Sequence, residues 1–256
     1  MIYRTDALMG DMDGKVGLVF GGANGIGRAG AIALARRGAD IVIADRDRKS
    51  GEELVSNLSQ KYGNAAFVDV DVLDDDSVAA AYASTEERFK AVHAVVNSAG
   101  TIAHNVPDVF ERNINMLLLS VYRSMRCAVD SLGRAGGGSV VNIASIAGIT
   151  GSIGAPGYGP AKHGVVGMTK DYALSTAKDN IRVNVVCPGY VLTQQVSRLA
   201  PDQESSDRLI NEQLRVPMRR WGKPEEIGSV IGFLSSPESS FMTGSVIVVD
   251  GGLTAR

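Results

Sequence analysis

The stretch KVGLVFGGANGIGRAGAIALARRGADIVIAD, residues 15–45, decides the fold. KVGLVF (15–20) is a short run, apolar and β-branched without alternation, the pattern of a strand buried on both faces. FGGANGIGRA (20–29) follows at once, with Gly21, Gly25 and Gly27 in the turn. GIGRAGAIALARRG (25–38) sets small and apolar residues at helical spacing and ends on a glycine. DIVIAD (40–45) is a second apolar strand that closes on Asp45. Strand, glycine turn, helix and strand make a βαβ unit, whose crossover is right-handed.

The same alternation continues outward. Strand patterns recur at AAFVDV (65–70), within VHAVVNSAG (92–100), at GGSVVNIAS (137–145), IRVNVVCPG (181–189) and SVIVVD (245–250). Helical patterns lie between them, over 48–63, 75–90, 108–132 and 156–178, with shorter pieces near 203–214 and 224–235. The fold class is therefore α/β: a Rossmann-type, doubly wound parallel sheet of seven strands with helices on both faces. No linker or compositional break divides the chain, so 13–256 reads as a single domain of this fold. Residues 1–12 read as a flexible N-terminal extension.

The 256 residues are 45% apolar and 21% charged, with a formal net charge of −2. That balance suits a globular domain and offers no basic surface for nucleic acid. No run has the length of a membrane span, and the first residues lack a signal-peptide core. Cys127 and Cys187 fit no metal-ligand or CxxC spacing, so they read as thiols in a reducing compartment. A cytoplasmic protein without a metal is expected.

The glycine turn suits a pyrophosphate. It needs backbone angles that other residues resist, a close approach of the phosphates and close packing of helix on strand. The helix N-terminus supplies free N–H groups and a favourable dipole. Asn24 and Ile26 belong to the same turn. Such a turn alone is a weak signal, but Asp45 ends the next strand 18 residues beyond Gly27. A carboxylate there can accept from both ribose hydroxyls of NAD and would repel the 2′-phosphate of NADP. The alternative is a solvated acid in the charged run ADRDRK, and Arg46 beside it leaves NADP possible. Ligands gather at the carboxyl ends of such strands, which adds Asp71 and Val72, then Asn97, Ser98, Ala99 and Gly100, to the expected cofactor-binding set.

Ser145 ends the fifth strand pattern, Tyr158 comes 13 residues later and Lys162 four after that. Tyr158 and Lys162 share one helix face. A phenol with a pKa of ~10 is too weak an acid for work near neutrality, and a nearby ammonium lowers that value. Tyr158 can then exchange a proton with an alcohol or carbonyl oxygen, while Ser145 holds that oxygen. Lys162 can also reach the nicotinamide ribose.

With these pieces in order, the chain resembles the short-chain dehydrogenase/reductase family (SDR), in its short single-domain branch. The resemblance runs from about Gly14 to Gly252 and rests on GGANGIG (21–27), Asp45, Asp71-Val72, NSAG (97–100), Ser145, YGPAK (158–162), CPGYVLT (187–193) and VDGG (249–252). It implies oxidation or reduction of an alcohol/ketone pair with NAD, NADP being less favoured, and a homotetramer. It also implies that Pro188 and Gly189 line the nicotinamide, and that the Val191 backbone and Thr193 hold its carboxamide.

Four positions depart from the family's pattern, the mildest being Ser98, where a second asparagine is usual. Phe20 stands where a threonine is usual, so local repacking is expected. Pro160 lies between Tyr158 and Lys162, where it is tolerated near a helix start. The family's usual relay asparagine lies 28 residues before the serine, which here is Leu117. Asn115 is about 200° away around an α-helix. Asn113, one turn before Leu117, is the possible substitute, although both asparagines also suit a helix surface or subunit interface. The activity expected is NAD-linked interconversion of a secondary alcohol and a ketone, with a small polyol, sugar or hydroxy compound as substrate. The alternatives are a 3-oxoacyl-carrier-protein reductase and a weakly active NAD-binding regulator. Residues 194–220 read as a lid, with Trp221 as its anchor or as a core residue.

Overall fold

The computed structural model describes residues 10–151, 154–194 and 202–255. Its strands are β1 (Val16–Phe20), β2 (Asp40–Asp45), β3 (Ala65–Asp69), β4 (Ala94–Asn97), β5 (Gly138–Ile143), β6 (Ile181–Pro188) and β7 (Val246–Val249). They form one parallel sheet in the order β3-β2-β1-β4-β5-β6-β7. The order reverses between β1 and β4, so the chain ends of these two strands open a crevice where ligands of such sheets bind.

The sheet is covered on both faces, as its unbroken apolar strands require. Helices α1 (Gly25–Arg36), α2 (Arg48–Lys61), α3 (Asp75–Phe89), α4 (Val109–Ile114), α5 (Ser120–Arg134), α6 (Tyr158–Thr176), α7 (Gln203–Arg208) and α8 (Pro224–Ser235) follow in chain order. Alternation along each strand separates two cores. Val19, Ile41 and Val96 pack with Leu34 of α1 and Ile231 of α8. Leu18, Phe20 and Val95 pack with Tyr82 of α3, Met125 of α5 and Val165 of α6. The expected repacking at Phe20 takes the form of a tilted ring contact with Tyr82, 5.6 Å between centroids.

Two expectations are refined. Met12 is buried and its N–H donates to the Arg37 carbonyl at 2.9 Å, so the docked chain reaches into the stretch expected to be a flexible extension. Residues 1–9 of that extension lie outside the described residues. The helix expected over 108–132 is interrupted by a wider, π-wound stretch, Asn115–Leu119. There Ser120 N–H reaches back to the Asn115 carbonyl, and Ser120 Oγ donates to the Met116 carbonyl at 2.5 Å. A π turn takes up an extra residue, so the faces before and after it are offset.

A backbone-on-backbone approach fixes the crevice. Gly21 has φ +71°, and a Cβ on it would lie 2.5 Å from both N and Cα of Ala99. Gly21→Ala should therefore lower the unfolding free energy by about 2–4 kcal/mol, from left-handed strain and overlap together. Urea unfolding monitored by circular dichroism measures this; a loss below about 0.5 kcal/mol, the range of ordinary surface changes, would contradict it.

Candidate functional site

The glycine turn leaves β1 and enters α1, with Gly21 N–H on the Ala44 carbonyl at 2.9 Å and no side chain capping the helix N-terminus. Gly27 is held so close that a Cβ would lie 2.1 Å from the Gly21 carbonyl oxygen. Asn24, at the helix N-cap, makes no side-chain capping bond; its amide donates instead to Asp47 Oδ2 at 2.9 Å. Asp45, half-buried at the end of β2, accepts from the Ala23 and Asp47 N–H groups, each at 3.0 Å. The acid thereby ties the turn to its own strand. Each carboxylate oxygen keeps a second acceptor site for a ribose hydroxyl. Arg46 is exposed and Ile26 partly buried beside this turn.

The remaining strand ends converge on the same rim. Ala99 touches the glycine turn at Gly21, and Thr193 Cγ2 lies 3.5 Å from where a Gly25 Cβ would be. Val191 bridges to Gly222, and Gly189 N–H donates to the Val249 carbonyl at 3.0 Å. These links hold Pro188–Thr193 across the crevice from Ser98–Gly100. Two expected contacts have other work as well. Asp71 Oδ1 accepts from Leu73 N–H at 2.9 Å, closing its own turn, with Val72 beside it. Asn97 turns its amide inward: Nδ2 donates to Asn142 Oδ1 at 2.8 Å, and Asn142 Nδ2 donates to Thr169 Oγ1 at 3.0 Å. The side chain of Asn97 thus braces the sheet, leaving its backbone and the small residues after it for a ligand. The glycine cradle, the uncapped donors and the acid fit a nicotinamide dinucleotide.

The three candidate catalytic residues meet at the carboxyl end of β5. Ser145 is extended, two residues past the strand, and its Oγ accepts from Ala147 N–H at 3.1 Å. Tyr158 opens α6, Pro160 is accommodated in the first turn, and Lys162 follows one turn on. The Tyr158 phenol lies near enough to the Ser145 side chain to feel it electrostatically. Lys162 Nζ is buried and donates to the Ile143 carbonyl at 2.9 Å.

Burial governs the titration of this group. It raises the Tyr158 pKa, against the lowering effect of the Ser145 side chain. It pulls the Lys162 ammonium down from 10.5 to about 8. By sequence the lysine is expected to lower the phenol's pKa; here the net direction is upward, because the phenol's own burial outweighs the Ser145 side chain and Tyr190 and Cys187 add to the rise. Cys187, a plain buried thiol by sequence, is part of this electrostatic group. Burial raises its pKa, and the nearby Ser145 backbone and the Lys162 charge oppose that with smaller effects. Its place directly before Pro188 is the signal that could have marked it.

Leu117 is buried and packs on the crevice: a Cβ on Gly100 would lie 2.8 Å from Leu117 Cδ2. Asn115 faces elsewhere, accepting from Arg123 Nη1 at 3.1 Å. Asn113 is not poised as a relay. Its Oδ1 accepts from Ala103 N–H at 2.8 Å, and its Nδ2 donates to the carbonyls of Ala103 and Pro156 at 3.2 and 2.8 Å. Trp221 Nε1 donates to Ser206 Oγ at 2.7 Å, anchoring the described part of the expected lid. Residues 195–201 of that segment lie outside the described residues.

A family model described as Enoyl-(Acyl carrier protein) reductase matches residues 21–254. The chain is 34% identical to a 3-oxoacyl-[acyl-carrier-protein] reductase of Thermotoga maritima, over 94% of this chain and 98% of the relative. It is 35% identical to a cyclohexanol dehydrogenase of an Acinetobacter species, over 94% and 96%. A solved structure from Agrobacterium tumefaciens, assigned as a 2-deoxy-d-gluconate 3-dehydrogenase and holding NADP, superimposes with a TM-score of 0.84 at 32% identity. That superposition covers 96% of this chain and 98% of the other.

The buried lysine has a consequence for stability. Between the folded value of about 8 and the free value of 10.5, the unfolded chain holds a proton that the folded chain has lost. Stability therefore rises with pH across this window, by about 3 kcal/mol in all, as the cost of burying the charge disappears. Below the window both states are protonated and the full cost is present. The Lys162→Met variant should lose this rise in chemical denaturation followed from pH 7 to 10.5. The same rise in the variant would show that the lysine is not its source.

Proposed function

The chain belongs to the short-chain dehydrogenase/reductase family, and we propose that it interconverts a secondary alcohol and its ketone with NAD. The observation that carries this reading is the meeting of Ser145, Tyr158 and Lys162 beside a glycine cradle that fits a dinucleotide. A bound nicotinamide would accept or supply the hydride. Ser145 Oγ and the Tyr158 phenol would hold the substrate oxygen, and the phenol would give or take its proton. The Lys162 ammonium uses one donor on Ile143, which leaves two for ribose hydroxyls and for the phenolate as it forms.

Asp45 supports NAD. A 2′-phosphate would approach both Asp45 and Asp47, which lie on either side of the Arg46 peptide. Arg48, the next cation, is already engaged by Glu52 and Asp69. The relative solved with NADP makes the alternative cofactor a direct comparison. The cyclohexanol dehydrogenase relative favours a small cyclic alcohol, whereas the Thermotoga relative favours a 3-oxoacyl thioester. Leu117 supports a third reading, a feeble enzyme that mainly binds NAD. Leu119 of the π-wound stretch, Tyr122 of α5 and Leu174 of α6 are exposed, which suits the homotetramer the family pattern implies. Cys127 and Cys187 are unpaired, which suits the cytoplasm. Among the described residues no helix is long and apolar enough to cross a membrane.

Dinucleotide reduction by the wild type is expected with a member of a panel containing cyclohexanol, sugars and polyols, and Tyr158→Phe should slow it about a hundredfold or more. Unchanged turnover in that variant would remove the phenol from the mechanism. NAD should outperform NADP, and Asp45→Ala should narrow the gap about tenfold or more; equal use of both by the wild type would sink the NAD assignment. Leu117→Asn should raise turnover about two- to tenfold, and a fall with folding and NAD affinity intact would refute the weakened-relay idea.

A further inference from the structure

Asn113 has no role in the reading so far, yet its side chain is completely buried and fully bonded. Its two bonds with Ala103 imitate a peptide pair and fasten the loop that follows β4. Its third bond, to the Pro156 carbonyl, fastens the segment that leads into α6, two residues before Tyr158. Loop and segment follow the carboxyl ends of β4 and β5, so they flank the mouth of the crevice. Contact with the start of α6 is close: a Cβ on Gly157, which has φ +81°, would lie 2.5 Å from the Phe110 carbonyl oxygen and 3.2 Å from Asn113 Cβ. The loop after β4 otherwise carries two left-handed residues, Asn105 and Asp108, and a bond from Arg112 Nε to the Pro107 carbonyl at 3.1 Å.

We propose that Asn113 is the positioning residue of the substrate entrance, its single amide setting the distance between the β4 loop and the start of the helix that carries Tyr158. It does not touch the reacting atoms. The amide is specific to this task, because it must accept once and donate twice within one buried site. A carboxylate of the same shape would face two carbonyls without a proton to offer, and leucine would leave three backbone groups unpaired. The dinucleotide cradle, on β1 and α1, lies outside the clamp. Its loss should therefore affect the alcohol and spare the cofactor.

This inference rests on the oxidoreductase reading for its kinetic part only. Asn113→Asp and Asn113→Leu are compared with the wild type in three measurements: NADH binding by fluorescence, cyclohexanol oxidation at saturating NAD, and backbone deuterium uptake. The expected outcome is a KM for cyclohexanol raised about tenfold or more, with kcat changed less. NADH affinity should stay within about twofold. Deuterium uptake should rise over 101–107 and 154–158 and stay unchanged in β1 and α1. An unchanged KM, or NADH affinity falling in step with it, overturns the proposal. If the wild type oxidises no cyclohexanol, that substrate assignment fails separately and exchange decides. Faster exchange confined to both segments then supports the clamp; no change, or faster exchange across the sheet, refutes it. Should the leucine variant not fold, the isosteric aspartate variant carries the same comparison.

Discussion

The rest of the site depends on one approach of backbone to backbone, at Gly21 and Ala99. Strands β1 and β4 are neighbours in the sheet but are separated in the chain by two complete βα units. Their exits must diverge into different loops while staying within van der Waals distance. A side chain on Gly21 would fill the space Ala99 occupies. Without that approach the glycine turn and the NSAG turn would stand apart, and the crevice would lose its floor. The sheet order and the glycine are thus two statements of the same constraint.

Desolvation is the second organising effect. Lys162 is buried against a carbonyl, Tyr158 is partly buried against Ser145, and Cys187 is buried behind them. In water, an ammonium one helical turn from a phenol would simply lower the phenol's pKa. In this site burial acts on each group separately and moves the two pKa values apart, the lysine down from 10.5 to about 8 and the tyrosine up from 10.0.

How far the sequence could be read depends on whether a feature is local. Apolar strands, the helix that ends on Gly38 and the Tyr158–Lys162 spacing all follow from neighbouring residues, and they stand where the pattern puts them. The π-wound stretch at Asn115–Leu119 is not local. It depends on how two helical pieces dock on α6, and a residue count along an ideal helix cannot anticipate it. Asn97 shows the same limit: a motif places it in a cofactor turn, and only the facing Asn142 on β5 shows that its amide points inward. Asn113 reverses most fully. By face and spacing it is a possible relay, but Ala103 and Pro156 use up its amide.

The sequence by itself determined the α/β class, and it put forward the dinucleotide turn, the acid that follows it and the three residues proposed for the chemistry. Each is carried by residue type at short spacing, and short spacing survives folding. Only the tertiary structure decided which buried polar groups brace the frame. Hydrogen-bond partners of a buried amide, and the dielectric around a buried amine, are set by residues brought together from distant parts of the chain. Asn113 and Pro156 are 43 positions apart, and Asn97 and Asn142 are 45 apart. No pattern along the chain encodes those meetings; the packing of helices on the sheet does.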